Sequence, residues 1–332
     1  MAKPTYLDIA ALAGVGTATV ERVLNGRGGV TDKTSEKVVQ AARMLDWPGR
    51  LPERHRGITR IEVILVRPET PFFQRLARAF RRIAASLDPS IHVHVTFLDE
   101  NDPKSIAARI GNPPAPRSAL AIAAPDHPDI RREVDAQIGA GLPVVQIVSR
   151  TATGAEFVGI DNTAAGRMAG LMMSRLAQSD GTVLAICHSQ VYRGHRDRIR
   201  GFSDYVTRHP NPGLTFDLVR FGGDSSEANA QIIERALRGP EKLVAVYNAG
   251  GGNAGIFDAL RLARRKVFFV GHELDEASAE ALRDGVADVI LDQLPEAQAR
   301  RTLDILLWRN GLVPERIDNP PIRFTTITAE NL

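Results

Sequence analysis

Between Thr5 and Leu45 the apolar residues recur at helical spacing in three short blocks separated by polar and glycine-containing breaks. The first block, Ile9, Ala10, Leu12 and Ala13, predicts a helix whose start is marked by Thr5, with Asp8 three residues on to complete a capping box. Small Ala10 lets a second helix cross closely, Gly14 permits the sharp turn, and Val15 and Val20 close a small core. The other face of the second helix carries Thr17, Ala18, Glu21 and Arg22, side chains that suit an approach to base edges in a major groove. A third amphipathic helix follows, with Thr31 as its cap and Val38, Val39, Ala42 and Leu45 as its inward stripe. Residues 5–25 therefore predict a helix-turn-helix, a DNA reader.

From Ile61 onward the pattern changes. Apolar β-rich runs (IEVILV, HVHVTF, LAIAAP, PVVQIV, EFVGID, TVLAIC, TFDLVRF, LVAVYN, KVFFVG, VADVIL) alternate with helical segments at residues 73–87, 164–177, 226–238 and 254–263. This βαβ rhythm predicts two parallel sheets, with ligands lying outside the carboxyl ends of the strands. The arginine-rich stretch between Trp47 and Ile61, with two prolines and two glycines, marks a linker at a domain boundary.

The 332 residues allow a small module plus one large bilobal domain, and a 43% hydrophobic content is ample for buried cores. Net charge is +3, but residues 1–60 carry +4 and the remainder −1. The positive excess thus falls on the segment that would meet phosphates, although a solvated face has the same composition. A single cysteine, Cys187, excludes an intramolecular disulfide. With no signal-like apolar start and no apolar run long enough to span a bilayer, a cytoplasmic protein without membrane partner is expected.

LDIAALAGV, TATVERVLNG and VTDKTSEKVVQAARMLDW resemble the DNA-binding headpiece of the LacI family of bacterial regulators. The resemblance implies an α/β fold class: an N-terminal three-helix headpiece followed by a two-lobed, periplasmic-binding-protein-like (type I) core, each lobe a parallel sheet flanked by helices. It places the headpiece at residues 1–47, a hinge at 48–60 and an effector-binding and dimerisation core at 61–332. Lobe one is then about 61–160 plus 293–320, and lobe two about 161–292 plus 321–332. The DNA contacts it implies are Thr5, Thr17, Ala18, Thr19, Glu21, Arg22 and Asn25, with Arg50, Leu51 and Arg54 in the hinge.

Several positions depart from the family pattern. Gly16 stands for a serine ahead of the reading helix, and Glu21 for a serine that touches phosphate. Glu21 either accepts from a cytosine amino group or pairs with Arg22 or Lys37. In the hinge, Pro52 and His55 stand where an alanine-rich face and a wedging leucine are usual, leaving Leu51 as the apolar candidate and Arg50, Arg54 and Arg56 for a narrow minor groove.

In the core, Phe72 and Phe73 resemble the aromatic pair that stacks on the sugar of ribose-type binding proteins; they also read as two core residues at a helix start, though neighbours on a helix do not share one face. The resemblance adds Asp126, Arg150, Arg196, Asn248, Glu273 and Gln293 as an effector-binding ring, with Arg196 forking onto hydroxyls. Ser149 and Glu273 stand where aspartates are usual, and GGGN follows Asn248, so the ligand differs from ribose in size or hydroxyl pattern.

Other motifs read more plainly. GGGNAG lacks dinucleotide-site spacing and starts a helix near the ligand, His92 and His94 form a solvent-facing or core pair, and His272 is within reach of a ligand hydrogen bond. No cofactor, metal or catalytic residue is expected; a sugar-modifying enzyme using Glu273 and Asp197 is the weak alternative. The expected protein is a homodimeric repressor of a palindromic double-stranded DNA operator, controlled by a monosaccharide or sugar derivative. A sugar sensor with weakened operator binding, an exported sugar-transport protein and a purine-responsive regulator are the other readings.

Overall fold

The computed structural model describes residues 4–45, 47, 48, 58–177, 180–189, 192–216 and 219–332. The chain forms two compact units, Met1–Ile58 and Thr59–Leu332.

In the first unit, α1 (Tyr6–Ala13), α2 (Thr17–Leu24) and α3 (Asp32–Met44) follow the predicted order. The capping box forms: the Asp8 amide donates to Thr5 Oγ1 at 3.4 Å and the Thr5 amide to the Asp8 carboxylate at 2.7 Å. Gly14 takes the left-handed conformation at φ 65°, which turns the chain from α1 towards α2 at no Cβ penalty. Gly16 begins α2 without a side-chain cap, the local result of lacking a hydroxyl there. Ile9, Val20, Val38 and Ala42 are fully buried, with Ala10, Ala13, Val23, Leu24, Val39 and Ala41 around them. Leu12, at helical spacing in the sequence, instead faces outward at 49% exposure, and Val15 is half-buried. The hinge positions Arg50, Leu51, Pro52, Arg54, His55 and Arg56 lie outside the described residues.

The second unit holds two sheets. The first contains β1 (Thr59–Val66), β2 (Ile91–Leu98), β3 (Ala119–Ile122), β4 (Val144–Ile147) and β5 (Glu156–Val158) in the order β2-β1-β3-β4-β5, all parallel. β1 is buried at every position but Arg60, as a strand covered on both faces must be. The flanking helices are α4 (Pro71–Ala84), α5 (Pro103–Gly111), α6 (Pro128–Gly139) and α12 (Pro295–Arg309), the last packed on α4 and β4.

The second sheet contains β6 (Gly181–Cys187), β7 (Leu214–Phe216), β8 (Arg220–Phe221), β9 (Leu243–Asn248), β10 (Phe268–His272), β11 (Val289–Asp292) and β12 (Thr325–Ile327), in the order β12-β11-β10-β9-β6-β7 with β8 also beside β6. It is flanked by α7 (Asn162–Leu176), α8 (Arg193–Arg208), α9 (Ser226–Arg238), α10 (Asn253–Ala263) and α11 (Glu276–Arg283). Two details differ from the sequence reading. TFDLVRF is two short strands pairing in succession with β6, and β12 adds an antiparallel edge to an otherwise parallel sheet. The chain crosses between the sheets three times: after β5, after β11, and before β12 where Ile160 bridges Ile322.

α7 and α8 cross backbone to backbone. A Cβ on Gly166 would stand 1.9 Å from the Arg198 carbonyl oxygen, and one on Gly201 2.1 Å from that of Thr163. Neither neighbour is a flexible side-chain end, so the helices must separate to admit a methyl group. Gly201→Ala is expected to destabilise the core by about 1–3 kcal/mol. Urea unfolding followed by circular dichroism would show a lower midpoint with an unchanged slope; an unchanged midpoint would contradict the close crossing.

Candidate functional site

On α2 the residues expected at DNA occupy the face away from the core. Thr17, Ala18, Arg22 and Asn25 are exposed and Thr19 and Glu21 half-buried, while Val20, Val23 and Leu24 point inward. Glu21 bonds Arg27 Nη1 at 3.2 Å, not Arg22 or Lys37. The chain turns at Asn25 after α2 and brings Arg27 back beside the helix end, a contact that i,i+4 spacing does not reveal. Arg22 stands exposed with no ion-pair partner among the described residues. The Thr5 hydroxyl is engaged with Asp8 at 2.7 Å.

In the core, strand ends from both sheets converge on a cavity of about 50 Å³, room for a few waters. Phe72, Phe73, Glu273 and Gln293 line it, as expected from the sequence. Phe72 and Phe73 meet edge to face with centroids 5.3 Å apart and an interplanar angle of 78°. Both are also part of the main hydrophobic core, so the two readings of this pair hold together.

The other four expected residues lie elsewhere. Arg196 is 46% exposed and pairs with Asp126 at 3.2 Å, and Asp126 also holds Arg131 at 2.6 Å. The arginine that enters the cavity is Arg198, 3% exposed, donating from Nε to Asn162 Oδ1 and from Nη1 to the Ala249 carbonyl, each at 2.8 Å. Two residues along a helix is a rotation of about 200°, so Arg196 falls on the opposite face. The phase was available: Arg198 is in step with buried Phe202 and Tyr205. Arg150 is exposed, its guanidinium 4.9 Å over the Phe157 ring in a neighbouring pocket. Asn248 is buried, its amide donating to the Gly251 carbonyl and Asn253 Oδ1 and accepting from the Gly250 amide, so it shapes the loop whose Gly250 and Gly251 line the cavity. His272 sits behind the site against the Tyr247 hydroxyl at 3.0 Å. Glu273 and Asp197, the pair a hydrolase would need, line different cavities. His92 and His94 are exposed on β2, and no group of three His, Cys, Asp or Glu among the described residues could hold a metal.

Local pattern did not reveal Arg67, Tyr192 or Asp224. Arg67, just past β1, reaches Asp224 Oδ2 at 2.6 Å and lies 3.3 Å from Glu100, which also accepts from the Tyr192 hydroxyl. This network joins loops of the first sheet to loops of the second. Burial acts to raise the Asp224 carboxyl, but the Arg67 charge helps hold it below the ordinary range. Arg67, Val148, Asp224 and Glu273, all lining the cavity, have left-handed backbone at φ 55–73°. Each such non-glycine residue costs about 1–2 kcal/mol, and such strain gathers at ligand sites. Ser149 Oγ, His195 Nδ1, Asp224 Oδ1 and Glu273 Oε2 are buried there without a hydrogen-bond partner among the described residues. Groups left in that state are rare unless they meet water or a ligand.

Burial pushes the Glu273 carboxyl up to about 8 from its ordinary 4.5, and the His195 ring down to about 3 from 6.5. The folded protein therefore keeps a proton on Glu273 that the unfolded chain has released, so stability falls as pH rises through that interval. The stability that neutral His195 contributes is present above its unfolded value and lost below about 6.5. Between about 6.5 and 8, Glu273 titrates without that opposing effect. The melting temperature is expected to fall across this window, and Glu273→Gln to flatten the fall; an equally steep profile in the variant would show that Glu273 is not its source.

Residues 5–48 match the description "Bacterial regulatory proteins, lacI family", and residues 61–307 match "Periplasmic binding protein domain". The chain is 44% identical over 73 residues to the HTH-type transcriptional regulator MalR of Streptomyces coelicolor, covering 21% of each protein. It is 35% identical over 85 residues to the ribose operon repressor of Halalkalibacterium halodurans, covering 25% of this chain and 26% of that one. The aligned part of the chain thus spans about a quarter or less of these relatives. Among solved structures, a solute-binding protein from Bacillus halodurans with bound myo-inositol has a TM-score of 0.73 at 19% identity, over 84% of this chain and 97% of that one. GanP, a glucose-galactose binding protein from Geobacillus stearothermophilus, has a TM-score of 0.71 at 15% identity, over 83% and 99%. At these identities the likeness establishes the fold, that of type I periplasmic binding proteins. With its helix-turn-helix headpiece and periplasmic-binding-protein core, this chain belongs to the LacI family of bacterial transcription regulators.

Proposed function

We propose that the chain is a cytoplasmic repressor that binds a palindromic operator as a homodimer and is controlled by a neutral sugar in the interlobe cavity. Two copies would set two α2 helices in successive major grooves, with Thr17, Ala18 and Arg22 towards bases and phosphates. The observation that carries the effector assignment is the set of unpartnered polar atoms on Ser149, His195, Asp224 and Glu273 around the Phe72–Phe73 pair. Hydroxyls donate and accept at once, so a polyol can satisfy all four groups, while an aromatic face takes the C–H side of its ring. A planar nucleobase fits less well, because the two phenylalanines meet at 78° and form no parallel slot.

The cavity is bounded by both lobes, so its occupant biases their separation. By linkage, sugar changes operator affinity by the same coupling free energy that operator exerts on sugar affinity, typically ~1–3 kcal/mol. Selection of sheared genomic DNA on the purified chain, followed by sequencing, tests the reading. An enriched palindrome whose retention falls when sugar is added supports it; absence of enrichment overturns specific operator binding and leaves a sugar sensor.

Single substitutions should separate the two functions. Arg22→Ala is expected to remove operator retention without changing sugar affinity. Arg198→Ala should abolish the response to sugar while operator binding persists, and Arg196→Ala should leave both intact. Gel shift and calorimetric titration read the outcomes; loss of the sugar response in Arg196→Ala would reverse the assignment of the two arginines.

A further inference from the structure

Next to the central cavity lies a larger pocket of about 310 Å³, at the side where the chain crosses between the sheets. The two share Val148 and Gly194 as walls. At about 50 Å³ the central cavity admits only part of a ligand, whereas the second pocket reaches the size range of small-molecule sites.

Its lining has the chemistry of a sugar platform. Phe157 is half-buried, with the far end of its ring so close to Gly159 that a Cβ there would stand 2.5 Å from it. The Arg150 guanidinium lies 4.9 Å over the ring, is exposed and has no ion-pair partner among the described residues, so no salt bridge has to break for it to meet a ligand. Arg193 and Asp197 are held only 3.9 Å apart and are about half and a third exposed, so both can turn to hydroxyls. The cations Arg150 and Arg193 are matched in number by the anions Asp161 and Asp197, which suits a neutral occupant. Asn162 lines this pocket while its Oδ1 fixes Arg198 of the central cavity, so one side chain serves both compartments.

We propose that this pocket is a second sugar subsite and that the effector is a disaccharide, one ring among Phe72, Arg198 and Glu273 and the other on Phe157. The inference rests on the sugar reading of the central cavity and adds to it a length requirement.

The test is calorimetric titration of the full chain. The monosaccharide giving the largest thermal shift among ribose, xylose, glucose, galactose and fructose is compared with its α- and β-linked disaccharides. At least one disaccharide is expected to bind tenfold or more tightly than the monosaccharide. Phe157→Ala should erase that advantage and leave monosaccharide affinity unchanged. Asp197→Ala, a substitution on an exposed helix face, should reduce disaccharide affinity alone, which guards against misfolding of the phenylalanine variant. If a monosaccharide binds and no disaccharide binds more tightly, the second subsite is overturned while the sugar reading stands. A preference for glucuronate or a sugar phosphate over the neutral disaccharides also overturns it, by making the pocket an anion site. If no neutral sugar of either size binds, the sugar reading falls and the subsite falls with it.

Discussion

Two ion pairs between the lobes set the geometry on which the site depends. Arg67 of the first lobe meets Asp224 of the second at 2.6 Å, and Arg75 on α4 meets Asp292 at the end of β11 at 2.7 Å, with Glu296 at 2.8 Å. Asp224 and Asp292 are almost wholly buried, so each needs its arginine: a charge removed from water without a partner costs several kcal/mol. The lobes can therefore come together over polar strand ends only where these pairs form. Were the lobes to separate, both charges would return to water, where hydration would replace part of the lost attraction.

The same economy of position explains the strained backbone. Parallel strands deliver their last residues to one end of the sheet, but the chain must then turn sharply into a helix. Arg67, Asp224 and Glu273 make that turn in the left-handed region where glycine would be easier. A glycine would make the turn without strain and would put no side chain into the cavity. The close α7–α8 crossing, in which Gly166 and Gly201 leave no room for a methyl group, fixes the helix that carries Arg198 into the same cavity.

Much of this was legible in the sequence because the signals are local. The Thr5–Asp8 cap, Gly14, and the apolar spacing of α1 to α3 each depend on neighbours within a few residues. Glu273 and Gln293 directly follow β10 and β11, and Phe72 and Phe73 open α4 a few residues after β1, but it is the resemblance to ribose-type binding proteins that singles these four out. That Arg198 rather than Arg196 lines the cavity was not legible, because RDRIR offers three arginines and only the phase set by Phe202 distinguishes them. Arg67 and Asp224 are 157 residues apart, and nothing in either segment points to the other. Glu21 found Arg27 through a turn at the helix end, outside any helical periodicity.

The Glu21–Arg27 contact bears on how such a headpiece searches a chromosome. Arg27 is paired with the Glu21 carboxylate, so part of the positive charge the headpiece could offer to duplex phosphates is already occupied internally. That loss applies to every stretch of duplex alike, whereas the base contacts proposed for α2 would belong to the operator alone. A weaker hold on random sequence leaves more of the protein unbound, and the ratio of specific to non-specific affinity governs occupancy more than either constant does. On the function proposed above, an acidic residue on α2 would thus exchange tightness on DNA for contrast between sequences.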